Sequence, residues 1–238
     1  MTGPTPHTRG DELLLARISA AAGRAHLGRR RATYQGAMRT PHAVPARALL
    51  GLLAFARYGR PCAAKASAHA RLDLYEHGMT VAVGRRIHLV RYDTTLVLQK
   101  SIRLPQAPAR GGTTRALTLT DIEGKQVELY GGPVDGAAEK WVPEIQRAVT
   151  RAQLPRAWSA LDAGERLSFG DVWLTREEIG SGAVSARWPQ VRRLEITQDT
   201  VRLTLDGSGP TLATGATIPN LFVLRTLVER LHAGGPRP

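Results

Sequence analysis

The most regular feature of the sequence is a change of hydrophobic period near Arg71. Before it, Leu14, Leu15, Ile18, Ala21, Ala22 and Ala25 recur at helical spacing. Asp11 and Glu12 stand at the start, where a helix N-terminus favours negative charge. The spacing predicts a helix over 11–26 with Gly28 as its stop. Arg29-Arg30-Arg31 follows, then a loop-like stretch with Gly36, Pro41 and Pro45. The most apolar run is 46–56 (ARALLGLLAFA), eleven residues with Arg47 near its start and Arg57 just after its end. A spanning helix needs roughly 20, so this run predicts a short helix, buried or lying at an interface. Residues 57–70, with Gly59, Pro61 and many alanines, read as a connector.

From Arg71 the apolar positions alternate. Leu72, Leu74, Val81, Val83, Ile87, Leu89, Leu96 and Leu98 fall in short period-two runs, which predict half-buried strands. His77-Gly78 and Gly84-Arg85-Arg86 separate them as turns. After a Pro/Gly loop at 105–114, Leu117–Thr120 and Val127–Tyr130 flank Ile122-Glu123-Gly124-Lys125 as a hairpin. A helix is predicted from about 137 to 152, with Trp141, Val142, Ile145 and Val149 on one face and Leu154-Pro155 closing the unit. Pro143 is tolerable in or near the first turn.

The plan then restarts. Leu167–Phe169, Val172–Leu174, Val184–Trp188, Val191–Ile196 and Val201–Leu205 read as strands, and Asp206-Gly207 as a tight turn. A last helix over Asn220–His232 carries Leu221, Leu224, Val228 and Leu231, and Gly234-Gly235-Pro236 ends it. Each half also has a comparable pair after a turn-rich hairpin: Arg91-Tyr92-Asp93, then Arg187-Trp188-Pro189. The fold class expected is α+β, mainly β, with two strands-then-helix units at 71–155 and 162–233 behind a basic, partly helical N-terminal region at 1–70.

Composition adds limits. The 42% hydrophobic content suffices for a core, and with 5% aromatics that core must be mostly aliphatic. Cys62 is the sole cysteine, which excludes an intrachain disulfide and a Cys-rich metal site and suits a reducing cytoplasm. No apolar signal segment opens the chain. The net charge of +13 is uneven: residues 1–71 hold 12 Lys+Arg against 2 Asp+Glu, a net of +10. Such a patch favours acidic partners, either an anionic membrane surface or nucleic acid. Arginine outnumbers lysine 29 to 4, a bias that GC-rich coding also produces.

Chemistry is sparse. The seven histidines, among them His77 at a turn and His88 expected on the polar side of a strand, form no i, i+4 pair and no metalloprotease motif. Gly180-Ser181-Gly182 lies between strands rather than ahead of a helix, so it reads as a hairpin turn and not a phosphate loop. Asp171, Glu177 and Glu178 offer no acid pair, because adjacent strand residues face opposite ways. Neither a nucleophile elbow nor a Walker lysine is present. No catalytic residue, metal site, cofactor or small-molecule substrate is therefore expected. The candidate anion- or membrane-binding residues are Arg29, Arg30, Arg31, Arg85 and Arg86; Arg192-Arg193 is weaker, since its side chains should diverge. As a plain alternative, Arg29–Arg31 would be a solvated helix end.

About seven strands closed by one helix is the plan of the pleckstrin-homology-like fold. Leu72-Asp73-Leu74-Tyr75-Glu76-His77-Gly78-Met79 resembles the opening strand of an uncharacterised actinobacterial family with tandem domains of that kind. Leu167-Ser168-Phe169-Gly170, Arg187-Trp188-Pro189-Gln190-Val191 and Ile218-Pro219-Asn220-Leu221-Phe222-Val223-Leu224 resemble its second unit, and Leu27-Gly28-Arg29 with Thr33-Tyr34 its N-terminal motif. The Trp188-Pro189 order is shifted from the usual pattern, and 46–56 is shorter than the membrane segments of many relatives. The resemblance implies a fold and no activity. The expected function is a non-catalytic, cytoplasmic binding or scaffold protein, peripheral to the inner membrane face, with an unidentified protein or an anionic membrane as partner. The alternative is a nucleic-acid binder using the basic N-terminal third, although Tyr34, Phe55 and Tyr58 are few aromatics for stacking. An enzyme reading has no motif behind it.

Overall fold

The alternating runs pair into sheets in a computed structural model that describes residues 9–39, 68–103, 113–130, 137–196, 201–205 and 218–233. The predicted helix at 46–56, Cys62 and the Asp206-Gly207 turn lie outside the described residues. A helix, α1 (Arg9–Arg24), leads into strand β1 (Arg30–Arg39). Then come β2 (Ala68–Tyr75), β3 (Gly78–Val83), β4 (Arg86–Arg91), β5 (Val97–Arg103), β6 (Thr113–Thr120) and β7 (Gln126–Tyr130). They form one antiparallel sheet in the order β4-β3-β2-β1-β7-β6-β5.

β1 corrects the reading of the N-terminal region. Arg29–Arg31 do not end a helix but lead into a strand that pairs with β2 on one side and β7 on the other. The first sheet therefore begins at Arg30, and the boundary drawn at 70/71 cuts through it. The reason β1 escapes a periodicity search is physical. Its core-facing residues include Ala32 and Tyr34, only partly buried, and Thr33 and Gln35, which alternate with them, are polar and exposed. Its place is set by two distant partners rather than by its own alternation.

β2 is buried on both faces. Leu72 and Leu74 join Met79, Val81, Val90, Leu117, Leu119 and Leu129 in the first core. Tyr75, on the opposite face, packs with Ala22 and Leu27 beneath α1. That helix buries Ile18, Ala21 and Ala22 and turns Leu13 outward. Two more expectations change here. His88 shares a strand face with Val90, not with solvent, because Leu89 packs toward α1. Val97 is buried at the start of β5 and Leu96 is 53% exposed, the reverse of the predicted parity.

Helix α2 (Ala137–Asp162) runs ten residues past its predicted end. Trp141, Val142, Ile145 and Val149 fill the first core, while Leu154, Ala157, Trp158 and Leu161 pack into a second. Burial at both ends outweighs the donor lost at Pro155, which is itself exposed. The second core lies under β8 (Leu167–Phe169), β9 (Val172–Leu174), β10 (Glu178–Ser181) and β11 (Val184–Arg187), an antiparallel meander. A 3-10 turn at Trp188–Gln190, the pair β12 (Val191–Ile196) and β13 (Val201–Leu205), and helix α3 (Leu221–Ala233) follow. β10 takes in Gly180 and Ser181, so the turn predicted there falls one residue later. Gly180 is required as glycine, since a Cβ would sit 2.4 Å from the Trp173 ring.

The two meanders share a detail. β3 and β4 join through Gly84 (φ +55), β10 and β11 through Gly182 (φ +57). Gly78 pairs with Arg91, and Glu178 with Arg187. One residue on, the Tyr92 amide donates to the His77 carbonyl at 3.0 Å, and the Trp188 amide to the Glu177 carbonyl at 3.0 Å. Both aromatic side chains are buried in their cores.

Candidate anion-binding surface

Strand direction decides which loops meet. The end of β1 pairs with the start of β2 (Met38 with Ala68), and Arg71 of β2 pairs with Ala82 near the end of β3. Arg39 at the end of β1 also pairs with Glu128 near the start of β7. The β1–β2, β3–β4 and β6–β7 connections therefore emerge at one end of the sheet, and the β2–β3 turn at the other. One β3 strand of about 17 Å separates the two ends.

The five candidate arginines divide between these ends. Arg29, Arg30 and Arg31 lie at the β2–β3 end, and carboxylates engage this run. Glu76 Oε2 accepts from the Arg29 amide at 3.2 Å, and Glu76 Oε1 lies 3.3 Å from Arg31 Nη2. The Arg29 amide, followed by the Arg31 charge, holds the Glu76 carboxyl below its ordinary range. Arg30 Nη1 is 3.7 Å from Asp73, which is fully buried and also accepts from Thr33 Oγ1 at 2.6 Å and Arg71 Nε at 2.8 Å. The Arg29 amide and the Arg30 and Arg31 side chains thus link β1 to β2, while all three residues stay exposed.

Arg85 and Arg86 stand at the opposite end, both exposed. Among the described residues neither side chain has a carboxylate partner. Two cations that the sequence did not single out join them. Arg17 of α1 donates from Nη2 to the Arg85 carbonyl at 2.9 Å, placing its guanidinium on the β3–β4 turn. Lys125 of the β6–β7 turn is paired with Glu123, which keeps it protonated, and is near enough to Arg86 to feel the repulsion of a like charge. That turn is built by Asp121: Oδ1 accepts from the Glu123 and Lys125 amides at 3.0 and 2.8 Å, while Oδ2 lies 2.9 Å from His88 Nδ1. The Ile122 amide then donates to the Leu89 carbonyl at 2.9 Å, tying the turn to β4. Arg17 and Lys125 could be found only through the strand order, because nothing local marks them.

The remaining chemistry-bearing groups stay apart. Glu177 is exposed in the turn before β10, Glu178 is half-buried at the first position of that strand, and Asp171 lies exposed in the β8–β9 turn. Among the described residues no group of three His, Cys, Asp or Glu could hold a metal ion. A cleft of about 370 Å³ lies between the β4–β5 loop, α2, β8 and the start of α3. Its polar floor is already committed. Asn220 Oδ1 accepts from the Val97 amide at 2.8 Å, its Nδ2 donates to Gln153 Oε1 at 2.9 Å, and Gln153 Nε2 donates to the Tyr92 and Thr95 carbonyls at 2.9 Å each. These groups tie the β4–β5 loop and the start of β5 to α2 and the start of α3.

A family model described as a family of unknown function, DUF6585, matches residues 47–236. The chain belongs to the DUF6585 family. The DUF6585 match starts after β1, although β1 holds β2 and β7 together, and it leaves α1 outside as well. No curated protein matches the chain. Among the described residues no helix is long and apolar enough to cross a membrane.

Proposed function

We propose that this DUF6585 chain is a non-catalytic binding or scaffold protein of two pleckstrin-homology-like units, resting on an anionic membrane surface at the cytoplasmic face. The first unit comprises β1–β7 with α2, the second β8–β13 with α3. The recurring glycine turn and amide-to-carbonyl bond, one residue beyond β4 and β11, support a common plan for the two meanders.

The observation that carries the membrane reading is the convergence of three connections at one end of the first sheet. Arg85, Arg86, Arg17 and Lys125 stand there. The β1–β2 connection, 40–67, leaves and re-enters at that end, and its sequence holds four basic residues, no acidic one and the apolar run 46–56. Each basic group near an anionic bilayer contributes about 1 kcal/mol, and an apolar segment adds burial at the interface. Nucleic acid is the alternative occupant of the same charges.

Co-sedimentation with phosphatidylserine-containing vesicles tests the reading. Binding that falls roughly tenfold or more in Arg85→Ser/Arg86→Ser, and that vanishes on neutral phosphatidylcholine, is the expected result. A wild-type chain that stays in the supernatant at low salt overturns it. A steeply salt-dependent shift of duplex DNA without vesicle binding would assign the surface to nucleic acid instead.

A further inference from the structure

Helix α1 leaves most of its residues exposed. It buries one narrow stripe, and its outward side carries Leu13, Arg17, Ala20 and Arg24 at positions 13, 17, 20 and 24, all exposed. Spacings of four, three and four place them on one helical strip. Leu13 is 61% exposed, the largest exposure among the large hydrophobic side chains described. No acidic residue interrupts the strip; Glu12 lies on the neighbouring one. Arg17 connects the strip to the basic end through its bond to the Arg85 carbonyl.

We propose that the N-terminal half of α1 lies on the anionic bilayer as part of the docking surface, with Leu13 entering the acyl boundary and Arg17 reaching a phosphate group beside it. This rests on the membrane reading above and adds to it a helix that the family match does not include. A helix with one apolar anchor flanked by cations gains from two sources of different kind: burial, which salt does not weaken, and charge, which salt screens. The strip offers both, and the long Arg17 stem lets its charge stay at the headgroup level while Leu13 goes deeper. Ala16 and Ala20 keep the outward side low enough for the helix axis to approach the surface.

The test is co-sedimentation of the full chain with vesicles of phosphatidylcholine and phosphatidylserine at low and at physiological salt. Leu13→Ser is expected to weaken binding about five- to tenfold at both salt concentrations, because the lost contribution is apolar. Arg85→Ser/Arg86→Ser is expected to lose most at low salt. Ala20→Glu, exposed and equally compatible with a helix, should weaken binding as well, and Glu12→Gln should strengthen it modestly. Wild-type binding with Leu13→Ser and Ala20→Glu both unchanged overturns the role of α1 while leaving the basic end in place. A wild-type chain that binds no vesicle overturns both. Circular dichroism of each variant should match the wild type, since all the substituted side chains are exposed.

Discussion

Asn220 makes more tertiary contacts than any spacing rule would assign to it. It adopts φ +49, a left-handed conformation that asparagine tolerates better than most residues. Its amide donates to the Val97 carbonyl and its Oδ1 accepts from the Val97 amide, so it closes the open edge of β5 as a neighbouring strand would. Asn220→Ala leaves the Val97 amide and Gln153 Oε1 unpaired in a buried site, and a loss of about 3 kcal/mol is expected in chemical denaturation. A loss under about 1 kcal/mol would mean that the network is dispensable. The carboxylates at the β2–β3 end give a second residue-scale expectation. Glu76 is held below its ordinary value of 4.5 by the Arg29 amide, and Asp93 is lowered by its bond to Arg91. A depressed carboxyl stabilises the fold above its unfolded pKa, and that contribution disappears as pH falls through the folded pKa. Melting temperature should therefore hold from neutral pH to about 5 and drop below 4, with a shallower drop in Glu76→Gln. Equal slopes for the two chains would dissociate Glu76 from the acid transition.

At the scale of elements, what the sequence revealed depended on who supplies the partner. α1, the β6–β7 hairpin and α3 carry their own period, and each is found within a few residues of its predicted span. β1 is the counterexample: Ala32 and Tyr34 are a thin signal, and the strand exists because β2 and β7 pair with it. β10 was hidden by Gly180, which makes room for the Trp173 ring and so resembles a turn residue in isolation. α2 continues through Pro155, where local rules would end it, because it is held from both sides. The same reasoning predicts an effect. Pro155 removes the donor that would reach the Arg151 carbonyl, and both residues are exposed. Pro155→Ala should stabilise the protein by about 1–3 kcal/mol in denaturant titrations. A destabilisation would mean that the proline shapes the path of the helix between the two cores. The candidate site followed the same pattern. Arg85 and Arg86 can be read from a turn, whereas Arg17 and Lys125 come from distant elements, and Arg29–Arg31 carry no local sign of the strand they lead into.

At the scale of the molecule, the seven-stranded sheet and the four-stranded meander share a helix. α2 fills both cores, Phe222 packs against both, and Asn220 and Gln153 bridge the β4–β5 loop to the start of α3. With so much burial in common, the sheets should unfold together. Tryptophan fluorescence and far-ultraviolet circular dichroism are expected to give coincident denaturation curves. Two separated transitions would show that each sheet is stable alone. This arrangement leaves Arg85 and Arg86 exposed at one end of the first sheet, beside the Lys125–Glu123 pair.

Hydrogen exchange on the full chain, with and without phosphatidylserine vesicles, tests the membrane role most directly. The expected result is added protection at the β3–β4 turn, the β6–β7 turn and α1, with β8–β11 unchanged. Protection confined to β8–β11, or no change anywhere at a vesicle concentration that sediments the protein, would contradict it.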